Sequence, residues 1–194
     1  MRIGVTGIFA SGKGTVCRFF KDLGAEIIDT DIIAREIVKP QSKGWKKIKE
    51  IFGDKFIASD GYLKRRELAN FIFNDPARVE QLNKITHPLI LENILERTSC
   101  ASRGFFMINT PLLFEAKFNT YMDKNIVVYA KEDQVIKRGE ERDQISSQEI
   151  KDRLNFQISL SEKVKLADYV IDNSKTFENT KRQVLDLWNI LKKI

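Results

Sequence analysis

A glycine-rich stretch close to the start of the chain constrains the fold more than any other feature of the sequence. It reads Gly7-Ile8-Phe9-Ala10-Ser11-Gly12-Lys13-Gly14-Thr15. The apolar run over residues 2–6 before it is typical of a buried strand, and apolar residues at helical spacing follow it. Strand, turn and helix in this order predict a phosphate-binding loop, because the backbone N–H groups of such a turn and the helix dipole attract anions. The alternative is a glycine-rich turn in an ordinary α/β protein.

Two positions of this loop carry specific chemistry. Lys13 stands where a loop lysine reaches the β- and γ-phosphates of a bound nucleotide. In the usual pattern a Ser or Thr follows that lysine and holds Mg²⁺, but here the position is Gly14. Thr15, the next residue, is therefore the candidate magnesium ligand. Gly-Lys-Gly-Thr is a variant found in some nucleotide kinases, in which water can supply most of the magnesium coordination.

Length and composition exclude several classes of protein. The 194 residues predict one domain of generous size, and 42% hydrophobic with 31% charged residues is typical of a soluble globular protein. No apolar run approaches the roughly 18 residues that span a bilayer, and nothing before the first strand resembles a removable signal, so we expect a cytoplasmic protein. Cys17 and Cys100 are expected to be free thiols, and no His/Cys cluster has the spacing of a zinc site.

The net charge of +6 predicts an anionic partner. Nucleic acid is one candidate, but the basic residues are spread along the chain and do not form one dense tract. The densest patch, over residues 39–49, is typical of a solvated helix face. A polyanionic small molecule at the phosphate loop is sufficient to explain the charge, so we expect neither a nucleic acid nor a membrane as partner.

Two acids follow the second predicted strand, which covers residues 25–29. In doubly wound folds ligands bind at the carboxyl ends of the strands, so Asp29 and Asp31 are expected at the working edge of the sheet. Thr30 or Asp31 is also an acceptable N-cap for a helix over residues 32–38. Capping accounts for one acid and not for two, which favours a functional role for Asp31.

Residues 40–104 show helical spacing and little that resembles a strand, which predicts a helical insertion. Asp75 and Pro76 form a good helix start, and Pro88 is expected to mark a break or a kink. Arg65 lies at the start of another of these helices, where it could meet an anionic acceptor or be merely exposed. His87, the single histidine, lies in a Thr-His-Pro setting that is more typical of a structural role than of catalysis.

The rest of the chain predicts three further strands and a charged helical segment. The strands cover residues 105–109, 125–129 and 168–172, and a final amphipathic helix follows them. Between the last two strands, Arg138 and Arg142 are four residues apart and share one helix face. In phosphoryl-transfer enzymes a lid of this kind brings guanidinium groups onto the phosphates. The alternative is a surface helix whose arginines pair with its own acids, Glu140, Glu141 and Asp143.

Taken in order, these motifs resemble the dephospho-CoA kinase family over nearly the whole chain. The matching segments are Asp29–Arg35, Asp60–Arg65, Thr86–Pro88, Pro111–Glu115, Arg138 and Arg142 with Asp143, Arg153 with Gln157, and Ala167–Asn173. The main departure is the phosphate loop, for which the family usually has Gly-Gly-Ile-Gly-Ser-Gly-Lys-Ser-Thr. This chain has Ile8, Phe9, Ala10 and Gly14 where that pattern gives Gly, Ile, Gly and Ser.

The resemblance implies an α/β fold, the three-layer sandwich of P-loop NTPases with a five-stranded parallel sheet and helices on both faces. It implies one kinase domain, with the nucleotide-binding core at about residues 1–30, 105–135 and 165–194. A helical acceptor-binding insertion would cover about 31–104 and a lid about 136–164. Such proteins act on small molecules, and we expect a monomer or a weak homo-oligomer.

The implied reaction moves the γ-phosphate of ATP to the ribose 3′-hydroxyl of dephospho-CoA, giving coenzyme A and ADP. Asp31 would orient and deprotonate that hydroxyl. The phosphates, bridged by Mg²⁺, would be held by the Lys13 side chain and by the N–H groups of Ala10, Ser11, Gly12, Lys13, Gly14 and Thr15. Arg142 and Arg138 would contact the phosphates from the lid, and Asn173 would lie near the adenine. The acceptor side would be lined by Arg35, Arg65 and His87.

Two other functions are considered. A nucleoside monophosphate kinase is favoured by the Gly-Lys-Gly-Thr sequence alone, but the long insertion and the acidic stretch from Asp29 to Arg35 oppose it. A nucleotide-binding regulator or a nucleic-acid-binding ATPase belongs to a different class, and would be retained on DNA or RNA in a salt-dependent manner.

Overall fold

A computed structural model describes residues 1–99, 104–155 and 157–194. The chain divides into two compact units, one formed by Met1–Ile28 with Ala101–Ile194 and the other by Asp29–Cys100. The strands are β1 (Arg2–Thr6), β2 (Glu26–Asp29), β3 (Phe106–Asn109), β4 (Lys124–Tyr129) and β5 (Tyr169–Asp172). The α-helices of the described residues are α1 (Lys13–Asp22), α2 (Thr30–Glu36), α3 (Lys43–Phe52), α4 (Arg65–Phe73), α5 (Pro76–Ser99), α6 (Glu132–Asp143), α7 (Ser147–Asn155), α8 (Leu160–Leu166) and α9 (Phe177–Leu191).

The first unit is built on a parallel sheet with the strand order β2-β3-β1-β4-β5. The central strand β1 pairs with β3 from Arg2 opposite Phe106, and with β4 from Ile3 opposite Lys124. Both faces of the sheet are covered. Three successive residues of β4, Ile126, Val127 and Val128, are fully buried although their side chains point to alternate sides. The five-stranded α/β fold predicted from the sequence is therefore confirmed, with strand limits within one residue of the prediction.

One layer of helices in this unit is formed by α1 and α9, which pack against each other. Phe20 on α1 and Trp188 on α9 lie in the same buried cluster as Ile3 and Val5 of β1. Cys17 is also buried in this cluster. Cys100 lies outside the described residues, so the expectation that both cysteines are thiols stays a prediction.

The second unit is helical, and its apolar side chains form their own buried set. Trp45, Ile48, Ile72 and Ile94 are almost inaccessible to solvent. The only extended pairing in its described residues is a single antiparallel bridge between Ile57 and Leu63. The prediction of a helical segment with little strand is therefore confirmed.

Two details of the second unit concern the predicted helix ends. The start of α5 is as predicted, because the Asp75 carboxylate accepts a hydrogen bond from the Ala77 N–H at 2.9 Å and Pro76 is the first helical residue. Pro88 does not break the helix, since α5 continues from Pro76 to Ser99. Proline removes one N–H from the ladder. The flanking Ile85 and Ile90 are both buried, and this packing maintains the helical course.

The N-cap of α2 differs from the prediction. The helix begins at Thr30, so the residue before it, Asp29, is the cap, and its carboxylate accepts a hydrogen bond from the Asp31 N–H at 2.9 Å. Thr30 and Asp31 already lie in the first turn, because the strand leads into the helix without an intervening loop. Asp29 is thus the residue that caps the helix, and the carboxylate of Asp31 is exposed.

None of the helices in the described residues combines the length and the apolar character that crossing a membrane would need.

Candidate active site

The phosphate-loop candidate connects β1 to α1 through a backbone with two left-handed residues. Ala10 has φ +53° and Gly12 has φ +95°. Gly12 is the N-cap of α1, and a Cβ at this position would collide with Nδ2 of Asn173. Only glycine therefore satisfies both the backbone angle and the space at position 12. Ala10 adopts a conformation that disfavours a side chain, at the place where the family pattern has glycine.

Several polar groups of the loop bond within the loop itself. The Ser11 N–H donates to the Ile8 carbonyl at 3.2 Å, and the Thr15 N–H donates to the Gly12 carbonyl at 3.0 Å. The ammonium group of Lys13 lies across the loop and donates to the carbonyls of Gly7 and Ile8, each at 3.1 Å. The structure thus places the lysine on the concave side of a closed turn, next to the N-terminus of α1. A positive side chain and a helix N-terminus in one place favour a bound anion.

Asn173, directly after β5, holds the loop from one side. Its Nδ2 donates to the Ser11 carbonyl at 2.8 Å, and its Oδ1 accepts from Thr180 Oγ1 at 2.9 Å. Its backbone joins the same network, since its N–H donates to the Tyr129 carbonyl at 2.8 Å. The side chain of Asn173 is therefore engaged at both ends by protein groups, which makes it an anchor of the loop.

The two arginines of α6 have different surroundings. Arg138 donates from Nη2 to the Asn173 carbonyl at 2.9 Å, and its buried Nη1 has no hydrogen-bond partner among the described residues. This Nη1 is 4.0 Å from the position of a Cβ built on Gly12, so it lies beside the phosphate loop. Arg142 is exposed and forms two 2.8 Å hydrogen bonds with the Asp143 carboxylate, which raise its pKa. Arg138 thus lies beside Gly12 of the loop and has, within the described part of the chain, a hydrogen-bonding group to spare, whereas the guanidinium of Arg142 is engaged by Asp143.

Apolar contacts also join α6 and α7 to the loop. A Cβ on Gly139 would lie 2.9 Å from the Phe9 ring and 2.7 Å from Ile150, so glycine allows the close approach of these elements. The guanidinium of Arg142 is 5.2 Å from the centre of the Phe9 ring, a cation–π distance. Phe9 therefore lies at the junction between the loop and both helices.

In the second unit, the structure brings together two of the residues predicted to line the acceptor site. Arg65 Nη2 donates to the backbone carbonyl of Arg35 at 3.3 Å, and both side chains are exposed. Asp31 lies on α2 one turn before Arg35. His87 is half-buried on α5, which packs against α2, and burial lowers the pKa of its imidazole. Asp31, Arg35 and Arg65 are thus exposed, and His87 is half-buried.

The sequence analysis missed a buried ion pair near the loop. Lys163 on α8 is fully buried, and its ammonium lies 2.7 Å from the Glu115 carboxylate. Gln157 was noted only with Arg153, yet its Oε1 accepts from the Phe9 N–H at 3.2 Å. The side chain of Arg153 lies outside the described residues. A lysine in an amphipathic charged helix gives no sequence signal for burial, so only the Glu115 segment pointed to this region.

Magnesium, which this type of fold implies, has few protein ligands here. The described residues contain no group of three or more His, Cys, Asp or Glu side chains that could hold a metal ion. Gly14 is exposed and offers no hydroxyl, and a Cβ there would touch nothing within 4 Å. This donor set suits a Mg²⁺ ion bound mainly by substrate phosphates and water, as is common at nucleotide sites.

Comparisons with known proteins agree with this site. The sequence model of the CoaE family, described as dephospho-CoA kinase, matches residues 1–179. A protein of Listeria monocytogenes named dephospho-CoA kinase is 39% identical over 185 residues, which cover 94% of this chain and 92% of the relative. One from Oceanobacillus iheyensis with the same name is 40% identical over 194 residues, 97% of this chain and 98% of the relative.

A solved structure gives the same result. The dephospho-CoA kinase from Campylobacter jejuni superposes with a TM-score of 0.74 at 29% identity, covering 99% of this chain and 97% of that one. The resemblance inferred from the motifs is confirmed by both the sequence and the structural comparison. This chain therefore belongs to the dephospho-CoA kinase family.

Proposed function

We propose that this protein transfers the γ-phosphate of ATP to the ribose 3′-hydroxyl of dephospho-CoA, which gives coenzyme A and ADP, the last step of coenzyme A biosynthesis. The observation that carries the proposal is the match to the dephospho-CoA kinase family over residues 1–179, which include the phosphate loop and Asp31. We further propose that it acts in the cytoplasm as a monomer or weak homo-oligomer, with small molecules as its partners.

The phosphate loop would bind the β- and γ-phosphates of ATP. Binding would draw the Lys13 ammonium from the carbonyls of Gly7 and Ile8 to the more strongly charged phosphate oxygens. Arg138 supports this role, since its Nη1 has no hydrogen-bond partner in the described residues and lies beside Gly12. A buried N–H of a charged group without an acceptor is costly, and a phosphate oxygen would supply that acceptor.

Helices α6 and α7 would form the lid. The exposed Arg142 would exchange its Asp143 partner for a phosphate when the lid meets the nucleotide, and closure would keep water from the transferring group. Mg²⁺, held by phosphate oxygens, water and the Thr15 hydroxyl, would neutralise negative charge on the phosphates.

Asp31 would position the acceptor. The 3′-oxygen attacks the γ-phosphorus, the bond from this phosphorus to the β,γ-bridging oxygen breaks, and the hydroxyl proton passes to the Asp31 carboxylate. A hydroxyl that attacks a loose, metaphosphate-like centre needs orientation more than a strong base. Arg35 and Arg65, which lie together in the second unit, would contact anionic groups of dephospho-CoA, and His87 would line the same side.

The test is an acceptor assay that follows ADP release from Mg-ATP with dephospho-CoA or with AMP. We expect ADP release with dephospho-CoA and none above background with AMP, since the alternative is a nucleoside monophosphate kinase. Asp31→Asn should lose turnover by orders of magnitude while ATP binding is kept, because the amide cannot accept the proton. Asp54→Asn, which removes an exposed acid of the same unit that pairs with Lys49 at 3.4 Å, is the matched control. Near-normal turnover of Asp31→Asn would remove Asp31 from this role.

A further inference from the structure

We propose that the fully buried Lys163 and the partly buried Glu115 form a positioning pair for phosphoryl transfer, which fixes the chain leaving the lid so that Gln157 holds the phosphate loop at Phe9. The inference rests on the proposed function only in that ATP is taken to bind at this loop. It assigns a role to three side chains that do not touch the reacting atoms in the mechanism above.

The ammonium group of Lys163 lies where burying a charge costs free energy. Lys163 has no solvent-accessible surface, and its ammonium contacts Glu115 Oε1 at 2.7 Å and the Pro111 carbonyl at 2.8 Å. Burial lowers the pKa of Lys163, and the Glu115 carboxylate opposes that shift. Buried ion pairs contribute little net stability compared with apolar side chains of the same size. The presence of this ion pair is therefore better explained by a role in positioning the chain than by a gain in stability.

Three segments of the first unit meet at the pair. Glu115 Oε1 also accepts from the Ile158 N–H at 3.0 Å, just before α8. The Pro111 carbonyl, which Lys163 contacts, accepts from Thr6 Oγ1 at 3.2 Å, and Thr6 directly precedes the phosphate loop. The pair thus joins the end of β1, the segment after β3 and the chain that enters α8.

Gln157 carries this constraint to the phosphate loop. It is the neighbour of Ile158, and its Oε1 accepts from the Phe9 N–H at 3.2 Å. The Phe9 N–H belongs to the same peptide group as the Ile8 carbonyl, which Lys13 contacts, and the left-handed Ala10 follows it in the chain. A fixed orientation of this peptide therefore determines how the loop presents itself to the phosphates.

Gln157→Leu tests the link without disturbing the ion pair. The change removes one neutral hydrogen bond to the loop and keeps a side chain of similar size. We expect affinity for a fluorescent ATP analogue, measured by titration without acceptor, to fall about three- to tenfold, the effect of one hydrogen bond. The KM for ATP should rise by a similar factor, and ATP hydrolysis per transfer event should increase. The thermal midpoint should match that of Gln148→Leu, the control, since Gln148 on α7 donates to Asp152 at 3.0 Å and lies away from the phosphate loop in sequence.

The double variant Glu115→Leu/Lys163→Met tests the pair itself. Lys163→Met alone leaves a carboxylate buried without its cation, and is expected to unfold at a much lower temperature. The double variant removes both charges and should recover most of the wild-type thermal midpoint. It should nevertheless bind the ATP analogue as weakly as Gln157→Leu, because the Ile158 N–H has lost the Glu115 carboxylate and the Pro111 carbonyl has lost the Lys163 ammonium.

Two results would overturn the proposal. One is an affinity of Gln157→Leu for the ATP analogue equal to that of Gln148→Leu, and the other is a stable double variant with wild-type affinity and KM. In both cases the affinity is measured by nucleotide binding without acceptor. A wild-type protein that binds the analogue but does not phosphorylate dephospho-CoA would instead refute the proposed function and leave this inference standing.

Discussion

The anchoring of the phosphate loop by Asn173 leads to a quantitative prediction. Asn173→Ala removes the hydrogen bond to the Ser11 carbonyl and the one from Thr180 Oγ1. Thr180 is fully buried and keeps a 3.3 Å bond to the Thr176 carbonyl, so the larger loss falls on Ser11. Each hydrogen bond contributes about 1 kcal/mol, and an acceptor left without a partner adds to the cost. The expected loss is about 2–3 kcal/mol of the free energy of unfolding.

Thermal unfolding measures this loss directly. For a chain of this length about 1 kcal/mol corresponds to roughly 2–4 °C, so the midpoint should fall by about 5–10 °C. Saturating ATP should recover part of the difference, because a ligand that binds only the folded state stabilises it. Thr180→Val is the control, since it removes one hydroxyl from the same network and leaves the bond to Ser11. It should lose about half as much.

The affinity for ATP gives a second and independent reading. Asn173→Asp keeps an acceptor for Thr180 but points a carboxylate at the Ser11 carbonyl, so the loop should shift and bind phosphate more weakly than in Asn173→Ala. If Asn173→Ala unfolds within about 1 °C of wild type, the two hydrogen bonds do not anchor the loop, and the reasoning from its engaged side chain is refuted.

Two further changes test the magnesium and histidine positions. In Gly14→Ser the new Cβ meets nothing within 4 Å, so the thermal midpoint should be unchanged. The Mg²⁺ concentration for half-maximal turnover should fall severalfold, because a hydroxyl ligand is added. An unchanged Mg²⁺ dependence would contradict this. Burial lowers the pKa of His87 below its ordinary value of 6.5, so the unfolded chain binds the proton more readily than the folded one. The contribution of neutral His87 to the free energy of unfolding should therefore be complete above pH 6.5 and decrease as the pH falls below it. In His87→Gln the denaturant midpoint should depend less on pH between about pH 7.5 and 5.5 than in the wild type.

The sequence predicted the sheet well because strand and loop signals here are local. Each strand is a short apolar run with a polar residue at its carboxyl end, and the limits of β1 were predicted without error. The two errors lie at α2 and α5, where tertiary structure decides. The strand leads directly into α2, so Asp29 becomes the cap, and buried isoleucines carry α5 through Pro88.

The sequence named candidate residues for the site, which stay predictions, and did not predict their hydrogen-bond partners. Spacing placed Arg138 and Arg142 on one helix face. It could not show that Arg142 donates to the Asp143 carboxylate while Arg138 donates to the Asn173 carbonyl. Burial of Lys163 depends on Glu115, which is 48 positions away in the sequence, and periodicity carries no information about such a pair. Long-range polar partners are therefore the part of this site that the sequence did not provide.

The unusual phosphate loop becomes understandable from what its side chains touch. Ile8 and Ala10 are buried in one apolar cluster with Val135 of α6 and Ile150 of α7, and Phe9 packs against the same cluster. Side chains at these positions would be a cost in an isolated loop, most clearly at the left-handed Ala10. Packed against the proposed lid, they bury apolar surface, which offsets that cost. At Ile8, Phe9 and Ala10 the side chains that depart from the family pattern thus join the loop to the helices, while the lysine and the N-cap glycine of the pattern are kept.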